Sequence, residues 1–187
     1  MLFFTLTVKE PSILNIILAV LICTNSLRLG CYLWQRFAKH IHQEDSRYAF
    51  LRAEWGQAAT RNMGIVFVIQ AVLVFILTLS FDYLLTPTIQ VYYTPLFYAG
   101  IIIYALSIYF ESLADKDLAN FRAQTTNPLE ICQVGLWRYS RHPNYFFQWL
   151  QWVGLSMTCY AVSLQWWVFL TQPVLMYLIL TQASGVK

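Results

Sequence analysis

The stretch GLWRYSRHPNYFFQW, residues 135–149, places a cluster of polar side chains directly before a long apolar run. Pro143 favours a helix start, because its fixed φ angle suits the first helical position and its missing N–H needs no partner there. Backbone N–H groups and the positive end of the helix dipole attract anions at such a start, and Arg138 and Arg141 add forked donors that suit phosphate or carboxylate. We therefore expect an anionic ligand beside the start of this helix.

The composition is that of a membrane protein. The chain has 187 residues, of which 58% are hydrophobic and only 11% are charged. Soluble domains are about 45–50% apolar and about 25% charged, so an ordinary soluble domain is excluded. The four cysteines show no CxxC pair and no metal-ligand spacing. We therefore expect neither a disulfide framework nor a metal site. No nucleic-acid partner is expected either.

Hydropathy indicates a single membrane domain, residues 1–187, with about five helical spans. A span needs about 17–25 predominantly apolar residues to cross the hydrocarbon core. The predicted fold class is therefore an all-α, polytopic transmembrane helix bundle with loops on the cytosolic side. The predicted spans are residues 12–34, 62–84, 95–113, 143–162 and 163–181.

The basic residues orient this bundle. Lys9 lies on one side and Arg28 lies within the first span, whereas the other basic residues share the opposite side. These are Arg36, Lys39, Arg47, Arg52, Arg61, Lys116, Arg122, Arg138, Arg141 and Lys187. The positive-inside rule makes that side cytosolic, or its organellar equivalent. We expect an integral protein of the endoplasmic reticulum, the mitochondrial inner membrane or a bacterial inner membrane, in contact with membrane lipids.

The first loop on the basic side, residues 35–61, has mixed charge. Such a pattern on a short connection is typical of a solvated or interfacial helix.

A polar stripe marks the end of the third span, in the sequence FESLADKDLANFR. Glu111, Asp115, Leu118 and Arg122 are four, three and four residues apart, which places them along one face of a helix leaving the membrane. A carboxylate can accept hydrogen bonds from ribose hydroxyls and an arginine can bind a phosphate, so this face suits a nucleotide groove. The alternative is a stop signal for the span or an internal ion pair, with Glu111 paired to Arg28. Spacing alone leaves both interpretations open.

A second polar stripe follows Pro143. Asn144, Gln148 and Gln151 recur at helical spacing on an otherwise apolar helix, and such a stripe must face protein or a cavity. We expect Gln151 to form interhelical hydrogen bonds, and Asn144, next to the arginines, to contact a ligand. Several tryptophans are expected to be interfacial anchors or packing residues: Trp34, Trp55, Trp137, Trp166 and Trp167.

These motifs resemble the steroid 5-alpha-reductase-like membrane family, including its bacterial branch of unknown-function homologues. The run GLWRYSRHPNYF is preceded by ExxAD and LxxFR, and the segments SLRLGCYLWQR, EDSRY and LRAEWG resemble the same branch. Isoprenylcysteine carboxyl methyltransferases and sterol C14 reductases share the RHPNY core, which marks the wider superfamily. The ExxAD and FR elements favour the reductase branch. The resemblance covers residues 25–186.

The resemblance implies a helix bundle that holds NADPH at its cytosolic end, chiefly with segment 111–145. Hydride would pass to an activated double bond of a steroid or other hydrophobic enone lipid. Four residues match the family's cofactor contacts: Glu111, Asp115, Arg122 and Asn144. Four more would complete the pyrophosphate and nicotinamide surroundings: Arg138, Arg141, His142 and Tyr145. No catalytic residue is assigned, because Tyr104, Tyr109 and Tyr145 are equally open as the general acid.

Departures from the family pattern lead to a second hypothesis. Family members have further helices before this chain begins and a cytosolic tail beyond SGVK, so we expect a chain shortened at both ends. Phe147 and Gln148 replace the usual glycine and acidic residue, and Asp117 stands where a glutamine is common. The chain would then be an inactive family remnant that serves as a structural subunit of a larger membrane complex, for example a mitochondrial one. A third hypothesis, a methyltransferase using S-adenosylmethionine at the same pocket, is disfavoured by the ExxAD stripe.

Overall fold

The computed structural model describes residues 13–39, 46–79, 84, 90–125, 127 and 130–183, and these form helices and loops without any strand. The α-helices are α1 (Ile13–Lys39), α2 (Ser46–Trp55), α3 (Ala59–Thr78), α4 (Thr94–Gln124), α5 (Pro143–Ser163) and α6 (Trp166–Leu178). Two 3-10 turns, Gly56–Ala58 and Gly135–Arg138, come before α3 and α5, and a π-helical turn, Ile179–Ala183, continues α6. The predicted all-α fold is confirmed.

Three helical segments are long and apolar enough to cross a membrane: Ile13–Gln35, Tyr48–Thr78 and Thr94–Gln124. The chain is therefore an integral membrane protein, and its first three predicted spans overlap these segments. Helix α5 coincides with the predicted fourth span, and the shorter apolar stretch Phe169–Thr181 lies within the predicted fifth. The crossing of the bilayer by these last two helices stays a prediction.

The first loop on the basic side contains a helix, as the sequence predicts. Helix α2 precedes α3 with only the turn Gly56–Ala58 between them. The rings of Tyr48 and Phe67 lie 6.0 Å apart, so α2 packs back against α3. Residues 40–45 of this loop lie outside the described residues.

Helices α4 and α5 form the tightest pair in the bundle, and their closest approach is at two glycines. A Cβ atom on Gly154 would lie 2.7 Å from the carbonyl oxygen of Gly100, and a Cβ on Gly100 would lie 2.6 Å from that of Gly154. Small residues allow membrane helices to approach until their backbones touch, which increases van der Waals contact. Phe97, Tyr104 and Leu155 belong to the buried core on the same two helices. This pair positions the two polar stripes relative to each other.

Polar contacts connect the outer helices to other parts of the bundle. Gln172 of α6 donates to the Leu77 carbonyl at 2.8 Å and accepts from the Ser156 hydroxyl at 3.0 Å. Asn15 of α1 donates to the Leu84 carbonyl at 3.1 Å. Side-chain hydrogen bonds between membrane helices contribute about 0.6 kcal/mol each on average, so they set orientation as much as stability.

Candidate functional site

Two adjoining cavities form the candidate site. The larger one lies between the last turns of α4 and the segment that leads into α5. Its volume is about 1260 Å³. Arg122 from α4 and Arg138 and Arg141 from the connecting segment line it, together with His142. The carboxylate of Glu130 also lines it, so three guanidinium groups face one acidic group, a balance that suits an anion with several charged oxygens.

The smaller cavity lies among α1, α4 and α5, and its volume is about 350 Å³. Helix α4 contributes Glu111 and Asp115, while α5 contributes Asn144 and Tyr145. The two cavities adjoin, because both are lined by the same four side chains, namely Leu118, Arg122, Trp137 and His142. The result is one site with a cationic compartment and a mixed polar compartment.

All eight predicted site residues line one or both of these cavities. The larger is lined by Arg122, Arg138, Arg141 and His142, and the smaller by Glu111, Asp115, Arg122, His142, Asn144 and Tyr145. The predicted placement of the α4 stripe on one face is therefore correct, and the structure brings the α4 and α5 stripes together at the smaller cavity. Their role as cofactor contacts stays a prediction.

Arg28 reaches from α1 to both carboxylates of the α4 stripe. Its Nη2 atom lies 2.6 Å from Oε2 of Glu111, and its Nη1 atom lies 3.4 Å from Oδ2 of Asp115. The same Nη1 donates to the Ser112 hydroxyl at 3.3 Å. The ion pair between Arg28 and Glu111, one of the two interpretations open from the sequence, is confirmed.

Side-chain amides extend this ion pair across three helices. Gln151 of α5 donates from Nε2 to Oε2 of Glu111, and Asn25 of α1 donates from Nδ2 to Oε1 of Gln151 at 2.9 Å. The expected interhelical role of Gln151 is confirmed. Asn25 was not predicted, because its only sequence signal is an amide in an apolar helix, three residues before Arg28.

Asn144 links the two helices at the smaller cavity. Its Nδ2 atom donates to Oδ1 of Asp115 at 3.3 Å. Its buried Oδ1 atom has no hydrogen-bond partner among the described residues, and neither has the buried Nε of Arg28. Because buried polar atoms in proteins nearly always have a partner, these two atoms mark unused hydrogen-bonding capacity in residues that line the smaller cavity.

The segment between α4 and α5 is anchored by Trp137. Its Nε1 donates to the Ala114 carbonyl of α4 at 2.9 Å, and its side chain lines both cavities. Gly135 has a φ of +54°, and a Cβ atom there would clash with Oδ2 of Asp117. A left-handed backbone conformation favours glycine, so the sequence GLW suits this turn. Of the two roles predicted for Trp137, the structure shows packing.

Helix α5 begins at Pro143, as the sequence predicts, with His142 as its N-cap residue. No side chain caps this N-terminus. The first-turn N–H groups that follow the proline are therefore free of a side-chain cap and can meet an anion. The rings of His142 and Tyr145 stack at a centroid distance of 5.3 Å, which fixes both against the smaller cavity.

Comparison with known proteins gives one family match. The family described as "Protein of unknown function (DUF1295)" matches the chain over residues 1–187. The chain belongs to the DUF1295 family. This is the steroid 5-alpha-reductase-like family, so the resemblance carried by RHPNY and ExxAD is confirmed at the family level. Its assignment to the bacterial branch stays a prediction. No curated protein and no solved structure matches the chain.

Proposed function

We propose that this DUF1295 protein is a membrane-embedded, NADPH-dependent reductase that acts on a steroid or another hydrophobic enone lipid. The observation that carries the proposal is the pair of adjoining cavities, one lined by three arginines and the other by carboxylate, amide and aromatic groups. Small-molecule sites have volumes of about 300–1,000 Å³, so the combined space is sufficient for a dinucleotide.

The cationic compartment suits the phosphates of NADPH. Arg122, Arg138 and Arg141 offer planar, forked donors that match phosphate oxygens. The start of α5 adds backbone N–H groups and the positive end of the helix dipole. S-adenosylmethionine carries no phosphate, so the same three arginines disfavour the methyltransferase hypothesis.

The smaller compartment suits the ribose and nicotinamide end. Asp115 is fixed at both oxygens, by Arg28 and by Asn144, and a carboxylate has further lone pairs for a ribose hydroxyl. The Oδ1 of Asn144 is buried without a partner among the described residues, and a rotation of the side chain would let it accept a hydrogen bond from a carboxamide or a hydroxyl. The stacked rings of His142 and Tyr145 offer a flat surface beside these groups.

When bound, NADPH supplies the hydride, while the protein's own groups orient the reactants and exclude water. Reduction of an enone also needs a proton donor. Of Tyr104, Tyr109 and Tyr145, only Tyr145 lines either of these two cavities. Tyr104 is buried in the helix core, and the side chain of Tyr109 is 63% exposed on the outer surface of α4. We assign the proton to Oη of Tyr145.

A second candidate function is a structural subunit of a larger membrane complex. It is favoured by the network of Arg28, Glu111, Gln151 and Asn25, in which the buried carboxylate already has an ionic partner and an amide donor. Polar networks of this kind hold membrane helices together without any ligand. The membrane in which the protein resides stays a prediction under either function.

Binding of NADPH to Arg141→Ala tests the cofactor site. The matched control is Lys116→Ala, because Lys116 is an exposed cation of α4 that lines neither cavity. Loss of a charge-assisted contact of about 1.5–3 kcal/mol weakens binding by about tenfold to a hundredfold. We expect that loss in Arg141→Ala and not in Lys116→Ala, measured by calorimetry in nanodiscs. Equal affinities of the two variants would contradict the proposed phosphate site.

A further inference from the structure

We propose that Arg28 is a positioning residue of the cofactor site, because its guanidinium offsets the charge of Glu111 and Asp115 and lets an anionic cofactor bind beside them. This inference rests on the proposed function. It adds α1 to a site whose predicted residues all lie in segment 111–145.

The charges of the smaller cavity show why a cation is needed there. Glu111 and Asp115, if ionised, and the guanidinium groups of Arg28 and Arg122 give this cavity a net charge of 0, and without Arg28 the net charge is −1. The side chains are largely enclosed, with exposed fractions of 24% for Arg28, 7% for Glu111 and 23% for Asp115. Enclosed charges are screened by salt much less than exposed ones. An NADPH molecule bound next to them would therefore meet strong repulsion if Arg28 were absent.

The contacts of Glu111 assign it a role as the partner of Arg28. Its Oε2 atom accepts from Arg28 and from Gln151, so this oxygen is already doubly occupied. Glu111 thus orients the guanidinium, and the guanidinium in turn holds Oδ2 of Asp115 while Asn144 holds Oδ1. Among these groups, Asp115 is the carboxylate presented to a ligand.

An arginine is required at this position by its geometry. Arg28 contacts Glu111, Asp115 and Ser112 through two terminal nitrogens, and its buried Nε has no partner among the described residues. A lysine has one point-like ammonium group and cannot reproduce a planar fork. The side chain also lines the smaller cavity beside Leu29, so Arg28 itself faces the ligand space.

The test is a series of charge-neutralising variants in nanodiscs, with the NADPH dissociation constant and the thermal midpoint measured for each protein. The variants are Arg28→Gln, Glu111→Gln and the double variant that carries both. Arg61→Gln is the matched control, because Arg61 is an exposed arginine of α3 that lines neither cavity.

Arg28→Gln should weaken NADPH binding by about fifteenfold. This value is the Coulomb attraction between the Arg28 charge and one negative charge of the ligand about 10 Å away, at an effective dielectric constant of about 20. Glu111→Gln keeps a side-chain oxygen that can accept from Arg28 and thus hold its guanidinium, and it removes a negative charge, so it should bind NADPH at least as tightly as the wild type. The double variant restores the net charge of 0 and should recover most of the affinity lost in Arg28→Gln. Arg61→Gln should match the wild type.

A merely structural Arg28 would give a different pattern. The affinity would then follow the thermal midpoint, and the double variant would bind no better than Arg28→Gln, which would overturn the inference while leaving the cofactor site intact. If Arg28→Gln does not fold, the NADPH affinity of Glu111→Gln decides the matter. A tenfold weaker affinity in that variant would make Glu111 a ligand contact and overturn the inference. A wild-type protein that does not bind NADPH would overturn the proposed function, and this inference with it.

Discussion

Replacing Gly154 by alanine should force α4 and α5 apart. The added Cβ would lie 2.7 Å from the carbonyl oxygen of Gly100 and 2.8 Å from the backbone nitrogen of Tyr104. Ordinary contact begins at 3.4 Å, so the backbone atoms must separate by 0.7 Å (3.4 − 2.7) and 0.6 Å (3.4 − 2.8). Both obstacles are backbone atoms, so no side-chain rotation can relieve the clash. The helices themselves must move.

Overpacking of this kind costs about 1–3 kcal/mol of unfolding free energy. For a chain of this length, 2 kcal/mol lowers the thermal midpoint by about 4–8 °C. The assay is thermal unfolding of the purified protein in one detergent. We also expect weaker NADPH binding, because the hydrogen bond between Asp115 and Asn144 spans the same two helices at 3.3 Å.

Gly64→Ala is the control for the Gly154 variant. Gly64 lies within α3, and a Cβ atom there meets nothing within 4 Å. Because alanine is a better helix former than glycine, this change should be neutral or should stabilise the protein by up to about 1 kcal/mol. A Gly154→Ala midpoint equal to or above that of Gly64→Ala would refute the close crossing of α4 and α5.

Two further substitutions probe the site. Trp137→Phe keeps an aromatic ring but loses the hydrogen bond to the Ala114 carbonyl. We therefore expect the unfolding free energy to fall by about 1 kcal/mol and NADPH binding to weaken. An unchanged thermal midpoint together with an unchanged NADPH affinity would exclude the anchoring role. Tyr145→Phe should lower kcat for enone reduction by about 10²–10⁴ while the NADPH dissociation constant stays the same. The control is Tyr109→Phe, which changes an exposed tyrosine of α4, and equal kcat values for these two variants would exclude Tyr145 as the proton donor.

The fold and the core of the site follow from local patterns. Apolar runs of sufficient length predicted the helices, and Pro143 predicted the start of α5. The four- and three-residue steps from Glu111 to Arg122 are set by helix geometry, so their common face was predictable without any knowledge of packing. The need of polar side chains in a membrane helix to face protein or a cavity predicted that Asn144 turns away from lipid, while its contact with Asp115 is seen only in the structure.

The contacts between distant segments were less predictable. Arg28 and Asp115 are 87 residues apart, and their contact depends on how α1 is rotated and shifted against α4. Hydropathy fixes neither quantity, so the sequence predicted the pairing of Arg28 with Glu111 only as an alternative and did not predict its contact with Asp115. Trp137 shows the same difficulty, since a tryptophan near a membrane surface is as typical of an interfacial anchor as of a residue packed under a helix.

Equilibrium binding of NADPH to the wild-type protein in nanodiscs tests the central claim most directly. The titration is performed by calorimetry and is repeated with S-adenosylmethionine in the same preparation. Saturable binding of NADPH with one molecule per chain, and no binding of S-adenosylmethionine, is the predicted result. Absence of NADPH binding at millimolar concentration, or saturable binding of S-adenosylmethionine instead, would contradict the account of these two cavities as a reductase site.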